Sequence, residues 1–163
     1  MGTAAFKRSL PQVDVRAAHA DDLDALVMLE RTVFADDCMS RASLKRFLSR
    51  PTAEVLLATC GGDVAGCAIV LFRAGSNLAR LYSLAVAPSC EGCGVAPLLL
   101  HAAEASAGAR HCTELRLEVH ENNGRAIACY RKAGYCEFGR LTGYYNDLGD
   151  ALRFRKVLPV IRK

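Results

Sequence analysis

Three strand-forming runs follow one another with no room for a helix between them: Ala53 to Cys60, Val64 to Phe72 and Leu78 to Val86. Gly61-Gly62-Asp63 turns the first into the second, and Ala74-Gly75-Ser76-Asn77 leads into the third. A chain connected this way must be built around a sheet. Pro88 stops the third strand and a glycine-containing loop, Glu91 to Ala96, follows. Pro97-Leu98-Leu99-Leu100-His101-Ala102-Ala103-Glu104 then reads as a helix with Pro97 in its first turn. Leu115, Leu117 and Val119 alternate with Arg116, Glu118 and His120, as in a strand. Asn122 or Asn123 caps a short helix through Arg131, which Gly134 closes in the left-handed conformation. Tyr135 to Leu141 and Ala151 to Leu158 are the last two strands.

Ahead of the sheet-forming triplet, Val13 to Ala17 alternates as a short strand. Asp21 and Asp22 open a helix whose stripe runs through Leu23, Leu26, Val27, Leu29 and Phe34, with Glu30 on the same side. Ser40 or Ser43 caps a second helix through Leu44, Phe47 and Leu48, which ends before Pro51. The expected order is β α α β β β α β α β β. It implies one α/β domain over residues 1–163, with its core at about 13–158, and a mixed, mostly antiparallel sheet with helices on both faces.

Composition excludes several classes. Just over half of the 163 residues are hydrophobic and 23% are charged, a globular balance. No apolar run reaches the roughly 18 residues that span a bilayer. The segment Met1 to Arg8 lacks a signal-peptide apolar region, and Phe6 breaks the myristoylation pattern, so the expected location is cytoplasmic with no membrane partner. A net charge of +4 without a dense basic block argues against nucleic acid as a partner. The eight cysteines mostly have apolar or small neighbours and read as free thiols. Cys90-Glu91-Gly92-Cys93 has no matching second pair, so no metal is expected.

Three segments carry a family resemblance. Leu81 to Pro88, then Glu91-Gly92-Cys93-Gly94-Val95-Ala96 and Pro97 to Leu100, resemble the main coenzyme-A motif of the GNAT N-acetyltransferase superfamily. Asn123-Gly124-Arg125-Ala126-Ile127-Ala128-Cys129-Tyr130-Arg131-Lys132-Ala133-Gly134-Tyr135 resembles the family's second block. Tyr144-Tyr145 followed by Asp150-Ala151-Leu152 is similar to the final hairpin of the ribosomal-protein N-terminal alanine acetyltransferases (RimI-like). The first motif has a physical basis of its own. Small residues at Gly92, Gly94 and Ala96 let backbone N–H groups approach a pyrophosphate, and the next helix presents its positive dipole end. Glu91 departs from the family, which has Gln or Arg there; a carboxylate pointing inward would repel a diphosphate.

The resemblance implies acetyl-CoA as acyl donor and an amine as acceptor, with the enzyme a monomer or homodimer. An α-amine has a pKa of about 8 and lysine about 10.4, so a base must remove a proton before attack. The family places that base at Glu118, cofactor binding at Asn123, and the general acid that protonates the departing thiolate at Tyr130. Its splayed strand, with Leu84, Ala85 and Val86, offers N–H groups to the thioester oxygen and pantetheine arm. Glu91, Gly92, Cys93, Gly94, Val95 and Ala96 form the phosphate loop. Asp36 and Asp37 between the first two helices, with Tyr144 and Tyr145, are the expected acceptor wall. The residues alone leave alternatives open. His120 shares a strand face with Glu118 and is a rival base. The acceptor is a peptide N-terminus or a small amine such as an amino acid, polyamine or drug, and a non-catalytic acyl-CoA-binding module would carry similar motifs.

Overall fold

A computed structural model of the protein describes residues 12–160. The N-terminal segment read above for targeting signals lies outside these residues. The strands are β1 (Val13–Ala17), β2 (Ala53–Cys60), β3 (Asp63–Phe72), β4 (Leu78–Val86), β5 (Glu114–His120), β6 (Cys136–Leu141) and β7 (Ala151–Val157). The helices are α1 (Leu23–Phe34), α2 (Arg41–Ser49), α3 (Val95–Ala109) and α4 (Gly124–Lys132). This is the expected order, with short 3-10 turns added before α1, after α1 and after β4. No helix among the described residues is long and apolar enough to cross a membrane.

One sheet runs β1-β2-β3-β4-β5-β7-β6, and all its neighbours are antiparallel except β4 and β5. The parallel step follows from α3, which carries the chain back across the sheet between these strands. Helices α3 and α4 cover one face. There Val95, Leu99, Leu100, Ala103 and Ile127 bury against Ala58, Ala68, Leu115, Leu117 and Phe154. Helices α1 and α2 cover the other face over β2, β3 and β4, through Leu26, Leu29, Leu44, Val55, Leu57 and Ile69.

Two helix caps choose between alternatives that the sequence leaves open, and two other element ends differ from expectation. Ser40 rather than Ser43 caps α2, its Oγ accepting the Ser43 N–H at 3.1 Å. Asn123 rather than Asn122 caps α4, its side chain accepting the Ala126 N–H at 3.2 Å. The loop expected through Ala96 ends at Gly94, so Val95 and Ala96 belong to α3. Gly94, at φ 79°, turns the chain into α3 early, and Pro97 is tolerated as the third helical residue because no intrahelical acceptor awaits its missing N–H. Tyr135 completes the end of α4, donating its N–H to the Tyr130 carbonyl at 3.0 Å, instead of starting β6.

Two features of β4 position everything that follows. Its pairing to β3 shifts by one residue between Leu81 and Ser83, leaving Tyr82 as a bulge. Its pairing to β5 runs from Leu78–Glu114 to Leu81–Leu117 and stops, although β4 continues to Val86 and β5 to His120. The two strands part.

On the α3 side of this parting, Gly66 of β3 is a close-approach site. A Cβ there would lie 2.7 Å from the Ala85 carbonyl oxygen, 2.9 Å from Val95 Cγ1 and 3.0 Å from Leu99 Cδ1. Gly66→Ala is expected to cost about 1–3 kcal/mol by overpacking. Urea unfolding of the variant beside the wild type measures it, and equal midpoints would show that α3 yields freely.

Candidate functional site

Strand alternation sends Arg116, Glu118 and His120 of β5 to the α1/α2 side of the sheet, while Leu117 and Val119 bury among α3 and α4. Tyr130, on α4, belongs to the opposite face and packs against Tyr135 and Phe154 at ring distances of 5.9 and 6.4 Å. Two such side chains cannot meet across a closed sheet. They meet here because β4 and β5 have parted. Glu118, Asn123 and Tyr130 line one cavity of about 570 Å³, together with Asp37, Leu84, Tyr144, Tyr145 and His120.

Glu118 is only 12% exposed. Its Oε2 accepts from Arg80 Nε at 3.0 Å, and Arg153 Nε lies 3.8 Å from Oε1. The arginine beside it is thus Arg80, from β4, rather than its strand neighbour Arg116, which pairs with Glu114 at 2.7 Å. Arg80 also donates to the Tyr144 hydroxyl at 3.2 Å, tying the turn between β6 and β7 to the cavity floor. Tyr145 stacks on the His120 ring at 4.8 Å and meets Tyr144 edge-on at 5.0 Å. His120 has both nitrogens occupied: Nδ1 accepts the Asn122 N–H at 3.0 Å, and Nε2 lies 2.8 Å from Asp147. With Nδ1 an acceptor, the proton sits on Nε2 and points at the carboxylate. Burial pushes the Tyr130 hydroxyl well above the ordinary phenol range, and it raises Tyr145 to about 12. Among the described residues the Tyr130 hydroxyl has no hydrogen-bond partner.

The phosphate-loop residues lie outside this cavity, beyond the end of β4. Gly92 and Gly94 have φ of 78° and 79°, and nothing approaches within 4 Å of where a Cβ would stand on either. Among the described residues the N–H groups of Gly92, Gly94, Val95 and Ala96 have no backbone acceptor. Four donors on open backbone at a helix start fit a pyrophosphate. Glu91 does not point at them. Its carboxylate accepts from Arg125, the second residue of α4, at 2.8 Å, so the departure from the family pattern is neutralised by a cation in the first turn of that helix.

Expectation needs two corrections in the parted strand and the α1–α2 connection. The Ala87 N–H reaches the Ala65 carbonyl on β3 at 2.8 Å. Alternation therefore turns the Ala85 N–H toward β3 as well, and only the Leu84 and Val86 N–H groups face the gap. Asp36 does not line the cavity, whereas Asp37 does. Sequence reasoning gave no site role to Arg80, Tyr82, Ser83, Phe34, Cys38 and Met39, or to Glu30, although it placed Glu30 on the buried stripe of α1. Glu30 is 6% exposed, and its Oε1 accepts the Met39 N–H at 3.0 Å, which folds the α1–α2 connection over the cavity. The signal for it was an ionisable residue at a core position of an amphipathic helix.

The comparisons bear on the family and the fold. A family model described as the acetyltransferase (GNAT) family matches residues 20–135. N-alpha-acetyltransferase 30 of Saccharomyces cerevisiae is 34% identical over 80 residues, 49% of this chain and 44% of the yeast protein, so the match spans less than half of that relative's length. The ribosomal-protein-S18-alanine N-acetyltransferase of Escherichia coli superposes with a TM-score of 0.82 over 93% of this chain and 97% of its own, at 22% identity, a likeness of fold. The ribosomal-protein-alanine N-acetyltransferase of Brucella melitensis is 25% identical, with a TM-score of 0.77 over 89% and 99%.

Burial raises the Glu30 carboxyl above its ordinary range, an effect the Met39 N–H offsets and the nearby Asp37 charge adds to. A folded-state pKa above the unfolded one means that the ionised carboxylate costs stability at high pH. The cost is full above the folded pKa and gone below the unfolded value of about 4.3. Glu30→Gln keeps an acceptor for Met39 and removes the charge. The variant is expected to melt at a higher temperature than the wild type at pH 7.5, with the gap closing by pH 4. Paired thermal melts at the two pH values check this, and a lower melting temperature at pH 7.5 would refute it.

Proposed function

Because this chain belongs to the GNAT acetyltransferase family, we propose that it moves the acetyl group of acetyl-CoA onto the N-terminal α-amine of a peptide or protein, by direct attack within one ternary complex. The meeting of Glu118, Asn123 and Tyr130 in one cavity at the β4–β5 gap carries this reading. When bound, acetyl-CoA supplies a thioester carbonyl and a thiolate leaving group. Gly92, Gly94, Val95 and Ala96 hold the pyrophosphate through their free N–H groups, with Glu91 and Cys93 completing the turn. The Leu84 and Val86 N–H groups face the gap and polarise the carbonyl oxygen, acting before any charge develops there. Asn123 keeps its amide N–H₂ available, since its carbonyl is spent on capping α4.

Glu118 removes the proton from the attacking amine, directly or through a water. Its ion pair with Arg80 fixes which oxygen is free to do so. Tyr130 remains protonated at neutral pH, because burial disfavours its phenolate, and returns a proton to the departing sulfur. His120 is a wall of the cavity rather than the base, with Nδ1 occupied by a backbone N–H. The peptide acceptor is supported by Tyr144 and Tyr145 on one rim and Asp37 on the other, a setting for an ammonium at the end of a chain, and by the alanine and N-alpha acetyltransferases among its relatives.

Glu118→Gln is expected to lower kcat by about 10²–10⁴-fold while calorimetry gives an unchanged Kd for acetyl-CoA. Tyr130→Phe should lower kcat with little change in that Kd. Unaltered turnover in Glu118→Gln would remove this residue from the mechanism. The acceptor is tested by thiol release with peptides, free amino acids and polyamines, where turnover on small amines alone would shift the substrate and keep the chemistry.

A further inference from the structure

The α1/α2 side of the sheet is only half covered. Both helices pack over β2, β3 and β4, and the floor formed by β5, β7 and β6 continues beyond them. Register places three arginines in one row across this floor: Arg80 opposite Arg116, and Arg116 opposite Arg155. In the adjoining row, Arg153 stands opposite Glu118. Like charges directly opposite on neighbouring strands destabilise a sheet. Glu114 pairs with Arg116 at 2.7 Å and Arg155 at 3.6 Å, and Glu118 with Arg80 and Arg153. Two carboxylates therefore serve four guanidiniums. Arg153 Nε is buried and, among the described residues, has no hydrogen-bond partner.

The guanidiniums are also held in position. Those of Arg116, Arg153 and Arg155 lie 5.1, 4.7 and 5.3 Å from the centre of the Phe138 ring. Their side chains are 31%, 33% and 49% exposed, so each keeps donors toward solvent. Arg80 and Glu118 line the cavity, which makes the row an extension of the proposed acceptor site. Fixed, under-neutralised guanidiniums in a row recognise carboxylates by bidentate hydrogen bonds.

We infer that this face binds acidic side chains in the residues that follow the acetylated amine, which makes the substrates polypeptides with Asp or Glu near the N-terminus. The inference rests on the reading of the acceptor as a polypeptide α-amine. With the amine at Glu118, an extended chain advances about 3.3 Å per residue. Laid along the seam between β5 and β7, it passes the Glu118–Arg153 pair with its second residue and reaches the Arg116–Arg155 pair with its third and fourth. The floor suits a short acidic peptide better than nucleic acid. Glu114 and Glu118 flank the row on either side and would repel a continuous phosphate backbone, whereas separate carboxylates can sit between them.

The test uses the full chain and three hexapeptides that begin with alanine and differ at residues two to four: three acidic, three amide or three lysine side chains. The acidic peptide is expected to show a KM about tenfold below the amide peptide at similar kcat, an advantage that shrinks as salt rises. Arg155→Glu should erase that advantage and favour the lysine peptide, leaving kcat on the amide peptide unchanged, and Arg155→Gln should erase it without the reversal. Binding of the acidic peptide measured by fluorescence anisotropy, without turnover, should follow the same order. Equal KM and equal binding for the three peptides would overturn this inference alone. A uridine oligonucleotide competing more strongly than the acidic peptide would assign the face to nucleic acid instead. Turnover of small amines with none of any peptide would end the polypeptide reading and this inference with it.

Discussion

The site depends on the parting of β4 from β5 after Leu81 and Leu117. A continuous sheet is a partition, and side chains on its two faces cannot share a cavity. The opening lets Tyr130, anchored among the α3 and α4 side chains, stand with Glu118, which faces α1 and α2. The bulge at Tyr82 is the companion of this opening. Ala79 and Leu81 bury toward α3, and after the extra residue Leu84 and Val86 do the same while Ala85 and Ala87 bury toward α1. One additional residue thus keeps both cores filled and frees two N–H groups that a closed ladder would consume.

Much of this was legible in the chain. Alternation and turn chemistry report element order directly, which is why the strands and helices of the described residues follow the expected order. The phase change in β4 was also written there, as the apolar set moves from odd to even numbers between Leu81 and Leu84, although it reads as noise until the partner strand is known. Helix starts were harder, because Gly94 begins α3 ahead of Pro97 by backbone conformation rather than by a side-chain signal. Arg80 could not be found from sequence. Its neighbours Glu118 and Tyr144 are 38 and 64 residues away, and only the β4–β5 register brings them together. The absence of a basic block in sequence was likewise no guide to the surface, since Arg80, Arg116 and Arg155 form a row only once three strands align.

Charge is distributed over the cavity in a consistent way. The wall made by α1 and the α1–α2 connection is acidic, through Glu30 and Asp37, and the floor carries Arg80 and Glu118, with Arg153 beside Glu118 just outside the cavity. Holding Glu30 nearly dry costs stability, and its single bond to the Met39 N–H does not need a full charge. Retaining a carboxylate where an amide would serve the fold suits a wall that faces an ammonium. Glu91 illustrates the reverse economy. A carboxylate at the proposed phosphate loop is tolerable because Arg125 neutralises it, and a guanidinium with five donors keeps others free for the anion proposed to bind there.

These placements divide the molecule into two parts that can change independently. Gly92, Gly94 and the start of α3, with the freed edge of β4, sit on or beside the well-packed core under α3, where a single added methyl at Gly66 collides with three neighbours. The proposed acceptor side is built from the α1–α2 connection, the turn between β6 and β7 and the open floor of β5 and β7, joined by side-chain contacts such as Arg80 to Tyr144 and His120 to Asp147. Loops over an open sheet tolerate substitution far better than a close-packed helix on small residues. A family that keeps the donor half and rewrites the acceptor half would retain its chemistry while changing its substrate. For this chain the arginine row is the feature of that second half that costs the fold most, since Glu114, Glu118 and the Phe138 ring offset the cross-strand repulsion of four guanidiniums only in part.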